Sequence, residues 1–278
     1  MRHRWLLIAA LLAVASGCRS GAGSQPAGAS MAPRDPGFVL EGDPEAPGGA
    51  SWSYRGRVHG VTYDLAGVLL KPPGAGPFPA VLLSHGAGGN AARFSAGVGQ
   101  EMVRWGLVCI AVNYVHAGGV PLGAPGNARQ NGASPANLLR AQRTYELLRQ
   151  LGYVDMKRVA THGYSAGAFV TTALVAAHPH EFRVASHGAG GVRPGELAIG
   201  PAPPLAELEG IRTPYQIHHG DSDDVVPLAW DQRLDSLLSA QRVPHELRVY
   251  PGGNHAAPAR SPVMLQRIHD WYARFGMF

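Results

Sequence analysis

Residues 158–177 read RVATHGYSAGAFVTTALVAA, and this stretch decides the fold of the chain. Its first five residues have the apolar character of a buried strand, and residues 166–177 have the small apolar residues of a closely packed helix. Between them, residues 163–167 fit the pattern G-x-S-x-G. Glycines on both sides of the serine permit a sharp, strained turn that neighbouring segments can approach closely. The stretch therefore predicts strand, tight turn and helix, with the Ser165 hydroxyl exposed at the start of the helix.

Outward from this stretch, predicted strands and helices alternate along the chain. The strands are short and continuously apolar, which favours a mostly parallel sheet covered by helices on both faces. Ser134 is expected to cap the helix that begins at Pro135. The predicted strands are 51–59, 61–70, 78–84, 107–112, 158–162, 184–186, 215–219 and 246–250, and the predicted helices are 96–105, 135–151, 166–177, 228–240 and 262–278.

A serine hydroxyl is a poor nucleophile at neutral pH and needs an adjacent base. For a serine on such a turn, the acid and then the base are expected later in the chain. His255 ends the sequence PGGNH directly after the last predicted strand, so its loop would carry the imidazole to the carboxyl edge of the sheet. His269 competes with it, but lies inside the closing helix. We therefore predict His255 as the base.

The acid that orients this base is expected in residues 220–227, GDSDDVVP, after the preceding strand. Asp221, Asp223 and Asp224 all lie there. Asp223 fits best, three residues after the glycine and just before x-Val-Val-Pro. This choice depends on the motif, and the chemistry of the other two aspartates does not exclude them.

Backbone N–H groups that stabilise a developing oxyanion are expected from two places. One is Ala166, directly after the serine. The other is the loop SHGAGG at 84–89, where we predict the N–H of Ala87, with Gly86 as the alternative. The same hexapeptide recurs at 186–191 after another predicted strand. We interpret the recurrence as shared loop chemistry and not as a duplicated domain.

These motifs, in this order over residues 51–278, resemble the α/β-hydrolase superfamily, most closely its dienelactone-hydrolase-like and serine esterase branch. The resemblance implies an eight-stranded, mostly parallel sheet and hydrolysis of a small-molecule or polymeric carboxylic ester through an acyl-enzyme, without a cofactor. True dienelactone hydrolases carry a cysteine nucleophile, so Ser165 argues against a dienelactone substrate. The short sequence between Ser186 and Tyr215 leaves room for little or no lid.

Four further residues are candidates for the substrate pocket. Tyr114, His116 and His187 follow predicted strands, and Tyr164 precedes the predicted nucleophile. The alternative is that they are ordinary loop residues. The histidines and aspartates of 218–224 match no standard ligand spacing, so no metal site is predicted.

The N-terminus predicts export. The segment MRHR at residues 1–4 is basic because of its two arginines, and it precedes an apolar segment too short to span a bilayer. Cys18 follows a run of small residues. This resembles a lipoprotein signal in which Cys18 is lipidated and anchors the protein to a membrane. The alternative is ordinary cleavage after Ala15. The mass of the mature N-terminus distinguishes the two. We expect a signal peptide over 1–18, a flexible Gly/Pro/Ala linker over 19–50 and a catalytic domain over 51–278.

Composition excludes some other functions. The formal charge of +5 comes from scattered arginines, with only two lysines, and no basic run suggests nucleic-acid binding. A monomer is expected. A peptidase of the prolyl-oligopeptidase type is one alternative, although residues 19–50 are too few for its usual propeller domain. A lipoprotein that keeps the fold and binds without turnover is the other alternative.

Overall fold

The computed structural model describes residues 35–58, 61–118, 132–193, 203 and 208–278. Predictions on residues 1–34, including the signal peptide and lipidation of Cys18, lie outside the described residues. Residues 119–131, 194–202 and 204–207 also lie outside them, and so does most of the region in which little or no lid is expected. Among the described residues, no helix has both the length and the hydropathy of a membrane span.

The described part of the chain contains nine strands and seven helices. The strands are β1 Phe38–Glu41, β2 Ala50–Val58, β3 Val61–Leu70, β4 Phe78–Ser84, β5 Val108–Val112, β6 Val154–Tyr164, β7 Val184–Gly188, β8 Tyr215–Gly220 and β9 His245–Tyr250. The helices are α1 Ala91–Phe94, α2 Gln100–Arg104, α3 Pro135–Leu148, α4 Ala166–Ala177, α5 Leu228–Ala240, α6 Ala257–Arg260 and α7 Pro262–Arg274, with a π-helical turn at Ser95–Gly99 between α1 and α2.

All nine strands form one sheet with the order β1-β2-β3-β5-β4-β6-β7-β8-β9. The first three strands pair antiparallel, and β3 joins β5 in the same way. From β5 across to β9, every neighbouring pair is parallel. The predicted α/β fold with a mostly parallel sheet flanked by helices is confirmed. The described sheet has nine strands, however, where eight were expected.

The additional strand, β1, lies inside the stretch predicted as a linker over 19–50. Phe38 pairs with Tyr54 and is buried against Trp52, with ring centroids 6.1 Å apart. The sheet therefore begins well before residue 51. The strand is only four residues long and is flanked by glycine and proline, so its apolar signal was hidden by the composition around it.

The parallel strands in the middle of the sheet are buried by the helices on its two faces. Every residue of β5 is buried, as are six of the seven residues of β4, because helices cover both faces of the sheet. The predicted bounds of α4 and α5 match the structure. The expected helix at 96–105 instead contains the π-helical turn, in which Gly99 lies close to the side chains of Leu70 and Leu83.

The topology brings the loops of the candidate site together. The parallel strands β4, β6, β7, β8 and β9 all end at the same edge of the sheet. In open α/β sheets, ligands bind in the crevice outside the carboxyl ends of the strands. The loops that carry residues 85–90, 165, 189–193, 221–227 and 251–256 therefore meet at this edge.

Candidate active site

Ser165 occupies the sharp turn between β6 and α4. Its φ of 54° and ψ of −121° place a non-glycine residue in the left-handed region, a conformation that costs of order 1–3 kcal/mol. The backbone N–H of Ser165 donates to the carbonyl of Gly188 at 2.9 Å, and its carbonyl accepts from Ala168 at 2.8 Å. These bonds hold the strained turn in place. The hydroxyl stands at the N-terminus of α4, where the helix dipole favours negative charge.

The glycine before this turn is required by close packing. A Cβ on Gly163 would lie 2.2 Å from the carbonyl oxygen of Gly167 and 2.5 Å from Oγ1 of Thr171. We expect Gly163→Ala to lower the free energy of unfolding by about 3 kcal/mol, because backbone must move. Gly97→Ala is the matched control, since nothing lies within 4 Å of its added methyl group, and it should leave stability unchanged or raise it by up to about 1 kcal/mol. Urea unfolding measures both; equal stabilities would contradict the packing argument.

The structure brings Ser165, His255 and Asp223 into one hydrogen-bonded chain. Nε2 of His255 lies 3.0 Å from Oγ of Ser165, and Nδ1 of His255 lies 2.8 Å from Oδ2 of Asp223. The carboxylate is fully buried, whereas the imidazole side chain is 22% exposed. His269, the competing base, lies on α7 next to Asp270 and Trp105, away from this chain.

The surroundings of the three aspartates distinguish them. Oδ1 of Asp223 accepts the backbone N–H groups of Val225 and Val226 at 2.9 and 2.8 Å, which leaves Oδ2 for His255. Asp221 is exposed and accepts the backbone N–H of residue 252 at 2.7 Å. Asp224 is also exposed. Only Asp223 therefore contacts the imidazole among these three.

Tyr164 supports the loop that carries the imidazole. Its hydroxyl donates to the backbone carbonyl of His255 at 2.6 Å, and the two rings lie edge to face with centroids 6.0 Å apart. Burial raises the pKa of the Tyr164 phenol. The side chain, one of the four proposed pocket residues, is 8% exposed, so its observed contact is with the His255 loop.

The loop after β4 runs beside the serine. A Cβ on Gly86 would lie 3.2 Å from both Cβ of Ser165 and the carbonyl oxygen of Tyr164, so this close approach favours glycine. Within the described residues, neither the backbone N–H of Ala87 nor that of Ala166 donates a turn, loop or cap hydrogen bond to another backbone group. The loop and the first turn of α4 thus bring both predicted donors to the same edge as the hydroxyl.

A buried cluster of neutral histidines fixes this loop. The backbone N–H of Tyr114 donates to Nε2 of His85, so Nδ1 of His85 carries the proton and donates to the Gly86 carbonyl at 2.9 Å. His116 donates from Nε2 to the His85 carbonyl at 3.0 Å, and its Nδ1 accepts from Asn137 at 3.1 Å. Burial lowers the pKa of His85 and lowers that of His116 to about 4.

Three of the expected pocket residues lie beneath the site. Tyr114, His116 and His187 are at most 1% exposed, and their polar atoms bond to protein groups. They therefore do not line an open pocket, which corrects the expectation from the sequence. Tyr114 and His116 follow β5, and His187 lies near the end of β7, so all three are at the expected edge of the sheet, but their side chains point into the core.

Sequence reasoning missed two residues of this region. Asn137 on α3 bonds to His116, which in turn donates to the carbonyl of His85 in the loop after β4. Asp231 on α5 binds His187 and His219. A signal was present for Asp231, because it shares the buried stripe of its helix with Leu234 and Leu238. Among the residues that the structure describes, no group of three or more His, Cys, Asp or Glu could hold a metal ion.

The fold and the chain of hydroxyl, imidazole and carboxylate together define a serine-type α/β-hydrolase. A family model described as "Dienelactone hydrolase family" matches residues 65–267, and the chain belongs to this family. A search of curated proteins finds no match.

Solved structures share the fold at low sequence identity. An S-formylglutathione hydrolase from Agrobacterium tumefaciens is similar with a TM-score of 0.62 and 17% identity, over 85% of this chain and 99% of that chain. A structure assigned as a dienelactone hydrolase, from Klebsiella pneumoniae, gives 0.65 and 16%, over 81% and 98%. A structure assigned as a dipeptidyl aminopeptidase IV, from Bacteroides ovatus, gives 0.64 and 20% over 81% of this chain, which spans only 35% of that peptidase.

Proposed function

We propose that the chain hydrolyses carboxylic esters through an acyl-enzyme on Ser165. The observation that carries the proposal is the hydrogen-bonded chain from Ser165 through His255 to Asp223, at 3.0 and 2.8 Å. Nucleophile, base and orienting acid within hydrogen-bond reach are the arrangement that activates a serine hydroxyl.

In the acylation step, Nε2 of His255 accepts the hydroxyl proton while Oγ of Ser165 forms a bond to the acyl carbon. The carbonyl oxygen becomes an oxyanion, for which the N–H groups of Ala87 and Ala166 are the proposed donors. A single donor of this kind is typically worth about 2.7–4 kcal/mol in the transition state. The bond to the alcohol oxygen then breaks, and that oxygen takes the proton from His255. Asp223 holds the imidazole in the required tautomer and stabilises its charged form.

Deacylation repeats the sequence with water as the nucleophile. His255 accepts a proton from water as the water oxygen attacks the acyl carbon of the ester on Ser165. The bond to Oγ breaks, Oγ takes the proton back from His255, and the carboxylic acid leaves. The free enzyme is regenerated without a redox or metal-dependent step.

The structures that share the fold include both an S-formylglutathione hydrolase and a structure assigned as a dipeptidyl aminopeptidase IV, so a peptide bond is the alternative substrate. Position 165 differs from the cysteine nucleophile of dienelactone-cleaving relatives, so a simple carboxylic ester is the proposed substrate class.

A panel of nitrophenyl esters from acetate to palmitate, with a nitroanilide of matched acyl group as the control, tests the substrate class. We expect ester turnover to exceed anilide turnover by at least about a hundredfold, because an anilide is the harder bond to cleave. Labelling by a fluorophosphonate, mapped by mass spectrometry to the peptide that contains Ser165, should accompany turnover. Comparable anilide turnover would favour a peptidase, and folded protein with neither turnover nor labelling would favour a binding protein.

A further inference from the structure

A chain of buried side chains continues behind the carboxylate of Asp223. Nε2 of His219 lies 3.3 Å from Oδ2 of Asp223, and its Nδ1 lies 2.6 Å from Oδ2 of Asp231. Oδ1 of Asp231 lies 2.8 Å from Nε2 of His187. The side chains of His187, His219 and Asp231 are fully buried. Buried charge is costly unless it is paired, so a positive imidazole in this buried group of side chains has to lie next to a negative carboxylate.

Two hydroxyl groups face Nδ1 of His187. The Tyr215 hydroxyl lies 2.8 Å from this nitrogen and Oγ1 of Thr172 lies 3.3 Å from it. The Thr172 hydroxyl donates to the carbonyl of Ala168 at 2.9 Å. On the other side of the ring, Nε2 of His187 bonds to Oδ1 of Asp231 at 2.8 Å.

The neighbours of His219 require protons on both of its ring nitrogens. Nε2 lies 2.8 Å from the carbonyl of Val226, which can only accept. Asp231 accepts from His187 and from the backbone N–H of Gly190, so it is a carboxylate that accepts from Nδ1 as well. Burial opposes the charge on His219, but the hydrogen bond and charge of Asp231 outweigh it and raise the pKa of His219. Against burial, His187 and His219 lower the pKa of Asp231 to about 2.

We propose that His219 is a positioning residue whose positive charge, held by Asp231, moderates the negative charge that Asp223 presents to His255. The proposal rests on the function proposed above. Oδ2 of Asp223 accepts from His255 at 2.8 Å and faces His219 at 3.3 Å, so two imidazoles share one oxygen. Among the described residues, Asp223 from the loop after β8 and Asp231 from α5 are the titratable groups in contact with His219. His187 from β7 acts on it through Asp231.

The charge on His219 has a consequence for the pH dependence of catalysis. Without that charge, Asp223 would attract the proton of His255 more strongly, and the free base would exist only at higher pH. The acid limb of the kcat/KM profile reports the base of the free enzyme. Loss of the charge should therefore move this limb to higher pH, by about half a unit or more.

The variant Asp231→Asn removes the charges and keeps the hydrogen bonds to both imidazoles, but it loses the bond from the backbone N–H of Gly190. The amide can accept from His187 and donate to Nδ1 of His219, which then becomes neutral. We expect the acid limb to move to higher pH by about half a unit or more, with the plateau value of kcat/KM reduced less than about tenfold. His219→Gln should move the limb in the same direction and further, because the negative charge of Asp231 remains.

His218→Gln is the matched control for disruption of the core. His218 is the preceding residue of β8 and is equally buried, but it bonds to Tyr250 and Gln216 on the other face of the sheet. This variant is expected to lose stability without moving the acid limb. A limb that stays in place in active Asp231→Asn protein would overturn the proposal, and so would an equal movement in His218→Gln.

A nuclear magnetic resonance titration of the histidine ring nitrogens tests the same charge without turnover. In the wild-type protein the midpoint of His219 should lie above that of an ordinary histidine, and Asp231→Asn should lower it. A wild-type midpoint at or below the ordinary value would overturn the proposal even if neither variant folds. Absence of both ester turnover and probe labelling in the wild-type protein would instead contradict the proposed function.

Discussion

Replacement of Ser165 by alanine is expected to lower kcat for ester hydrolysis by about 10⁵ to 10⁶-fold and to abolish fluorophosphonate labelling. The hydroxyl is the only group of this residue that reaches Nε2 of His255, at 3.0 Å. Alanine keeps the Cβ at the same left-handed backbone position, so the strain of the turn changes little. Folding should therefore survive, and the loss should lie in the chemical step. Active-site titration combined with steady-state kinetics measures both effects.

Ser222→Ala is the matched control for this prediction. Ser222 lies on the neighbouring loop after β8 and is exposed, and its hydroxyl donates to the side chain of Asp221 at 3.1 Å. Its loss should change kcat less than about twofold. Ser165→Ala protein that keeps a tenth of wild-type turnover, or that still takes up the probe, would contradict a covalent role for Ser165.

The sequence allowed prediction of those parts of the site that depend on local pattern. The turn at Ser165 needs small residues at fixed positions. The loops of His255 and Asp223 follow strands that can be recognised in the sequence as short apolar runs. Because parallel strands place their carboxyl ends at one edge, the order of strands and loops was enough to expect the three side chains to meet. The contact distances, however, depend on the packing of the whole sheet.

The repeated hexapeptide shows why local sequence was insufficient elsewhere. In the copy at 84–89 the positive φ falls on Gly88, whereas in the copy at 186–191 it falls on Ala189 and Gly191. The first copy packs against His116 and bonds to its carbonyl, and the second packs against α5. Identical residues therefore take different backbone conformations, because partners distant in the sequence decide which N–H groups are bonded.

The buried chain behind Asp223 depends on tertiary structure in the same way. His187, His219 and Asp231 belong to β7, β8 and α5, and no spacing in the sequence relates one to the others. An acidic residue on the buried stripe of a helix indicates a buried partner, but it does not identify which histidine that partner is. The expectation that His187 lines a pocket was wrong for this reason: α5 covers the strand end and encloses the side chain.

Replacement of Asp223 by asparagine is expected to lower kcat by about 10⁴-fold with little change in stability. The carboxylate accepts the Nδ1 proton of His255 at 2.8 Å and so keeps Nε2 free to accept from Ser165. With Oδ1 still bonded to the N–H groups of Val225 and Val226, the amide nitrogen would occupy the position of Oδ2. It would donate to Nδ1 and leave the imidazole proton on Nε2, where it faces the hydroxyl and prevents its deprotonation.

Asp221→Asn separates this tautomer effect from a general loss of charge in the loop. Asp221 is exposed, and an asparagine oxygen can still accept the backbone N–H of Gly252, so kcat should stay within about twofold of the wild type. Both variants remove one negative charge from the same loop, so only the contact with His255 distinguishes them. If Asp221→Asn lost activity while Asp223→Asn kept it, the orienting acid would be misassigned. The expected contrast of several thousandfold follows from one hydrogen bond, because that bond decides which nitrogen of His255 is able to act as the base.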